Sequence, residues 1–170
     1  MEVLARGESG SSLYDVRAKC LTEVSNPDLK SLFWDGFYDY CAERQDFVSA
    51  YADPSGRAEN NGWYATFGLG MRGVHATAYF AQRDGWVGVN LWFTDASLYE
   101  GLVARSVEVE ALLADLGGKI SWREPSEMTC ELQVRLDADV SPENWDELYG
   151  WLVKGLLRMR VVAGLLSAYN

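Results

Sequence analysis

His75 is the lone histidine of the chain and stands in the run Val-His-Ala-Thr-Ala-Tyr-Phe-Ala, with Thr77 and Tyr79 at the same strand parity. A histidine so placed can act as a general base beside Tyr64 or Tyr79. Set against that is a hydrogen-bonded histidine on a half-buried strand, which needs no reaction partner and is the preferred reading. With one histidine, paired-histidine metal sites and two-histidine relays are excluded. The segment Gly68-Leu69-Gly70-Met71-Arg72-Gly73 spells a phosphate-loop spacing. It lies between two expected strands and opens no helix, so it reads as a turn.

Hydrolysis in the manner of the PD-(D/E)xK nucleases needs a carboxylate on the second strand and an acid-x-Lys on the third, to hold a divalent ion and activate water. The corresponding strands offer His75, Thr77 and Tyr79, then Asn90 among Val87, Val89 and Leu91. No carboxylate or lysine stands there, and no catalytic residue, metal ligand or cofactor is assigned. Glu110 falls beside Val103 and Val107 on a helix flank. A partly buried carboxylate needs a cation, so an ion pair of Glu110 with Arg123 or Arg72 is expected.

The more informative feature is a surface. Side chains alternate along a strand, so Val87, Val89, Leu91 and Phe93 share one face, expected to be the core. The other face carries Trp86, Gly88, Asn90 and Trp92, joined from neighbouring strands by Tyr64, Thr66, His75, Thr77 and Tyr79. Rings interleaved with polar groups can stack bases or grip a peptide. The candidate binding residues are therefore Tyr64, His75, Tyr79, Trp86, Asn90 and Trp92. The alternative is that N-terminal helices cover this face as a second core layer.

The elements that must position these residues are legible from periodicity. Residues 1–10 read as a flexible leader, and 11–170 as a single α+β domain. A first helix is expected from Ser11 or Ser12 to about Val24, and a second from Asn26-Pro27-Asp28 to Arg44 or Phe47. A polar loop follows from Ala52 to Gly62. Three antiparallel strands are expected at Trp63–Leu69, Val74–Gln82 and Trp86–Phe93, the last two joined by Arg83-Asp84-Gly85, a hairpin signal. A long helix follows, with Ser97 and Glu100 spaced as a capping box and Leu98, Leu102, Val109, Leu112, Leu113 and Leu116 as its stripe. Gly117-Gly118 stops it. Strands Ile120–Arg123 and Thr129–Leu136 come next, the latter wet on the side of Glu131, Gln133, Arg135 and Asp137. Ser141-Pro142-Glu143 opens a last helix with a broad apolar stripe from Trp145 to Leu166. That stripe suits burial on the sheet, with a homodimer seam as the competing use. The fold class is α+β: a mainly antiparallel five-stranded sheet in the order α-α-β-β-β-α-β-β-α, with helices packed on it.

Composition narrows the function. The formal net charge is −10, from 25 acidic and 15 basic residues. Such a surface repels phosphate backbones at long range, so no broad nucleic-acid affinity is expected. Cys20, Cys41 and Cys130 form no close pair that suggests a disulfide framework or zinc site. No signal peptide or membrane span is visible, and a cytoplasmic location follows.

Several residues resemble the domain-of-unknown-function family 4268: Phe33-Trp34 with Phe37, Trp63, Val109-Glu110, Gly117, Ser121-Trp122-Arg123, and the pair Trp145 and Trp151. The resemblance runs from about Leu29 to Tyr169. Such domains are often attached to nuclease-like or restriction-related modules, which implies an accessory role near nucleic-acid processing or defence. Within these residues no such module is expected, and no catalytic residues carry over. The expected function is a non-enzymatic interaction module for a protein partner or nucleoprotein complex, with no membrane role. The alternatives are an acidic inhibitor that mimics nucleic acid toward a basic partner, and a divergent nuclease-like enzyme.

Overall fold

A computed structural model describes residues 26–51, 62–126 and 129–166. The expected leader, the helix ending near Val24 with its Cys20, and the loop residues 52–61 lie outside these.

Helix α1 (Asn26–Ala42) takes Pro27 in its first turn, where a missing N–H breaks no helical bond. It buries Phe33, Trp34, Phe37 and Cys41 on one stripe. The expectation that it continues to Arg44 or Phe47 is corrected by a break. Arg44 N–H closes a short turn onto the Cys41 carbonyl at 3.1 Å, its own backbone is extended, and a separate α2 (Gln45–Ala50) begins. Beyond the break Phe47 and Tyr51 are both buried in the core, and the Tyr51 hydroxyl donates to the Leu156 carbonyl at 2.7 Å.

The sheet has five strands: β1 (Tyr64–Gly68), β2 (Val74–Ala81), β3 (Trp86–Phe93), β4 (Lys119–Ser126) and β5 (Thr129–Asp137). Their spatial order is β1-β2-β3-β5-β4, and every neighbouring pair is antiparallel. The fold class is thus α+β with a fully antiparallel sheet. β5 returns to lie against β3 and leaves β4 at the far edge. β1, the other edge, has five residues, and the β4 register is irregular between Arg123 and Ser126. The expected hairpin at Arg83-Asp84-Gly85 is present, since β2 and β3 pair antiparallel out to Ala81 and Trp86. Gln82–Asp84 make a turn of 3-10 helix, and Gly85 closes it at φ 65°, where a side chain would be strained.

Val87, Val89, Leu91 and Phe93 stand opposite Leu136, Val134, Leu132 and Cys130 on one face of the sheet. Helix α5 (Trp145–Gly164) crosses it after a 3-10 turn at Pro142–Asn144. Its stripe of Leu148, Leu152, Leu156, Met159 and Val162 is buried, while Val161 is exposed. Gly155 lets the helix approach: a Cβ there would lie 2.7 Å from Val89 Cγ2. Phe33 of α1 stacks on Phe80 of β2, the ring centres 3.7 Å apart and the planes 7° from parallel.

The helix expected from Ser97 to Leu116 is also divided. α3 (Ala96–Val103) and α4 (Ser106–Leu113) are separate, with a 3-10 turn at Ala114–Leu116. The division falls at Arg105, whose N–H bonds the Leu102 carbonyl three residues back and whose guanidinium reaches the Leu165 carbonyl at 3.1 Å. A contact distant in sequence thus sits at the bend. The cap of α3 is Asp95, which accepts from Ser97 N–H at 2.9 Å, rather than the Ser97–Glu100 box.

Each described helix packs on the same face of the sheet. Phe33 and Phe37 of α1 meet Phe80 and Phe67, and Phe47 of α2 meets Phe67. Tyr99 of α3 meets Phe93 and Trp122, Glu110 of α4 bonds Trp122, and Gly155 of α5 sits on Val89. Among the described residues, no helix is long and apolar enough to cross a membrane.

Candidate functional site

The face of the sheet opposite these helices is built in rows by the strand register. Tyr64, Tyr79, Gly88, Arg135 and Lys119 form one row. Thr66, Thr77, Asn90, Gln133 and Ser121 form the next, and Gly68, His75, Trp92, Glu131 and Arg123 the third. Trp86 lies beyond the first row, opposite Ala81 and Asp137. All six candidate residues, Tyr64, His75, Tyr79, Trp86, Asn90 and Trp92, therefore share this face.

Their environments differ. Asn90 is fully buried, and Thr77, Glu131 and Gln133 are buried beside it. His75, Tyr79, Trp86 and Trp92 are half-buried, and Tyr64 is exposed. The expectation that the polar side of β5 is wet fails at Glu131 and Gln133. They occupy the inner rows of the sheet, between β3 and β4, and only Arg135 and Asp137 keep substantial contact with solvent.

Asn90 is the hub of the buried group. Its Nδ2 donates to Glu131 Oε2 at 2.8 Å and, more weakly, to the Tyr79 hydroxyl at 3.4 Å. Its Oδ1 is buried with no hydrogen-bond partner. The Glu131 Oε1 lies 2.9 Å from Arg123 Nη1. That contact is an attraction of opposite charges without hydrogen-bond alignment, since the same oxygen accepts no hydrogen bond. An unmatched buried acceptor costs about 1–3 kcal/mol, so this group is held at some expense to the fold.

Rings surround the hub. Tyr64 and Tyr79 are 5.7 Å apart and Tyr79 and Trp86 6.1 Å, measured between ring centres. His75 and Trp92, directly paired across β2 and β3, lie near-parallel at 6.3 Å. Gly88 leaves space that the Trp86 ring occupies: a Cβ there would meet Trp86 Cζ3 at 3.1 Å and the Val134 carbonyl at 3.2 Å. The Arg135 guanidinium lies 4.9 Å from the centre of the same ring. Burial lowers the His75 pKa and keeps the imidazole neutral near pH 7. Burial raises the Tyr79 pKa against the lowering pull of the Asn90 hydrogen bond, so the phenol stays protonated.

The expected Glu110–Arg123 ion pair is corrected. Trp122 and Arg123 are successive residues of β4 and point to opposite faces. Glu110, which is exposed, accepts from Trp122 Nε1 at 2.9 Å on the helix side, while Arg123 reaches Glu131 on the other side. Sequence reasoning missed Glu131, Gln133, Arg123 and Arg135 as members of the outer face. The alternation within β5 separated its polar from its apolar side chains, but only the β3–β5 pairing places the polar set beside Asn90. Among the described residues, no three His, Cys, Asp or Glu side chains gather as metal ligands.

A family model described as "Domain of unknown function (DUF4268)" matches residues 29–164, a span that holds the whole sheet and the long C-terminal helix. The chain belongs to the DUF4268 family. Comparisons with curated proteins and with solved structures give no match. Most of the aromatic residues that carry the DUF4268 resemblance serve packing. Phe33, Trp34 and Phe37 are buried, Trp145 meets Phe33 edge-on at 5.4 Å, and Trp151 Nε1 donates to the Leu116 carbonyl at 2.8 Å. Trp63, by contrast, is exposed with the Lys30 ammonium 3.5 Å above its ring. In this DUF4268 chain the aromatic part of the resemblance thus lies mainly in the helix-side core, while Ser121 and Arg123 of the same set stand on the candidate face.

Proposed function

We propose that the chain is a non-catalytic interaction module whose outer sheet face receives a protein partner, alone or within a nucleoprotein complex. The observation that carries this reading is the buried, incompletely satisfied Asn90–Glu131 group ringed by partly exposed aromatic side chains. Large rings with polar tips supply contact area at low entropic cost, and a buried acceptor without a donor gains from a partner that brings one. The family resemblance adds an accessory role in nucleic-acid processing or microbial defence. A reducing cytoplasm is supported by the buried free thiols Cys41 and Cys130.

The test compares the folded chain with its Trp86→Ala/Trp92→Ala variant as affinity baits. A partner captured by the first is purified and its binding to both is measured. The reading expects the double variant to lose binding while circular dichroism stays native-like. Undiminished binding by the variant refutes the sheet face as the docking surface.

A further inference from the structure

We infer that the outer face contains a seat for a cationic side chain, foremost an arginine presented by a basic segment of a partner protein, and that Arg123 is its internal competitor. The inference rests on the sheet face being the docking surface. It adds what that surface recognises.

Three observations point to a cation. The first is the polarity of the unfilled positions. Asn90 Oδ1 accepts from nothing, and beside it stands a carboxylate that is 5% exposed. Both groups ask for N–H donors. An anion would meet two more acceptors there.

The second is the weakness of the charge pairing in place. Glu131 is buried, whereas the side chain of its partner Arg123 is 67% exposed and touches it without hydrogen-bond alignment. A guanidinium so exposed can swing into water at little cost, whereas a carboxylate left in the sheet cannot. Glu131 can therefore exchange one guanidinium for another.

The third is the behaviour of the rings. Trp86 already carries the Arg135 guanidinium 4.9 Å from its centre, and Tyr64, Tyr79 and Trp86 continue as a run of rings toward the edge of the sheet. Such rings attract planar cations through their faces. The chain's net charge of −10 draws a basic partner and opposes a phosphate backbone.

The test uses the full chain and a fluorescein-labelled peptide of alternating glycine and arginine, read by anisotropy at moderate salt. The same peptide with citrulline for arginine is the neutral control, and a single-stranded oligonucleotide is the competitor. Binding of the arginine peptide is expected, with none of the citrulline peptide. Trp86→Ala and Glu131→Gln should each weaken it by about tenfold. Arg123→Gln should tighten it several-fold, because the competitor is gone.

Equal binding to Trp86→Ala and Glu131→Gln would reduce the effect to diffuse attraction by the acidic surface and overturn the seat. Weaker binding to Arg123→Gln, or preference for the oligonucleotide, would also overturn it. Urea midpoints confirm that each variant is folded; if Arg123→Gln is not, the Trp86→Ala comparison decides alone. Should the natural partner depend on Trp86 and Trp92 while the arginine peptide does not bind, the docking face stands and the cationic seat falls. Should both fail, both readings fall.

Discussion

Asn90 and Glu131, far apart in sequence, are joined by a 2.8 Å hydrogen bond from Nδ2 to Oε2 across two central strands. The bond organises the polar side of the sheet, because the same amide nitrogen also reaches Tyr79 and the same carboxylate holds Arg123. Its two ends are not equivalent. Asn90→Ala strips the Glu131 oxygen of its donor, and a loss of about 1–3 kcal/mol is expected. Glu131→Gln keeps an oxygen that can accept from Nδ2 and should cost less. Urea denaturation of the two variants measures the difference; equal losses would contradict this assignment of roles.

Gly155 and Val89 set the distance between α5 and the sheet. A methyl group at Gly155 would lie 2.7 Å and 3.0 Å from the two Val89 methyl carbons. Gly155→Ala therefore destabilises by about 1–3 kcal/mol through overpacking, despite the better helix propensity of alanine. Adding Val89→Ala should recover part of that loss, so the two changes are strongly non-additive. A double-mutant cycle checks it, and simple additivity would show that the helix does not sit where described.

Phe33 and Phe80 join the N-terminal helix to the sheet by stacking at 3.7 Å, both rings fully buried. Phe33→Ala should cost about 3–5 kcal/mol, enough to unfold a large fraction of a marginally stable domain. Phe33→Leu should cost clearly less. Thermal melts of the two variants rank them.

His75 makes stability depend on pH in a defined direction. Its folded pKa is lowered by burial from an ordinary value of 6.5. The unfolded chain thus takes up a proton first as pH falls, and stability declines on acidification below about 6.5 until the folded imidazole also protonates. Melting temperatures at pH 7.5 and 5.5 should differ more for the native chain than for His75→Gln. The reverse order would mean that the imidazole is charged in the fold.

Cys41 should resist thiol reagents. It is fully buried, and burial pushes its pKa up to about 12, with Arg44 offsetting only part of the rise. At pH 8 the thiolate is therefore scarce. Mass spectrometry of the Cys41 peptide after alkylation should show little labelling in native buffer and full labelling in urea.

The sequence announces what is local. Alternation in residues 64–93 yields three of the five strands, and the limits of Trp86–Phe93 agree with the structure to the residue. For the same reason the six candidate residues fall on one face: side-chain parity within a meander fixes it. What stays hidden is set by distant partners. The insertion of β5 between β3 and β4 leaves no mark in local periodicity, so Glu131 beside Asn90 is invisible and the Glu110–Arg123 pair looks plausible. The two helix breaks also leave no periodic mark: Arg105 bonds the distant Leu165 carbonyl, and beyond Arg44 Phe47 packs on Phe67.

The two margins of the sheet carry a further meaning for how the molecule behaves in a crowded solution. Exposed strand margins invite another chain to zip on through its backbone. Here one margin is only five residues long, and the other loses its regular pairing partway along, between Arg123 and Ser126. Neither offers a long, straight template, which discourages fibre-like stacking and strand-addition partners alike.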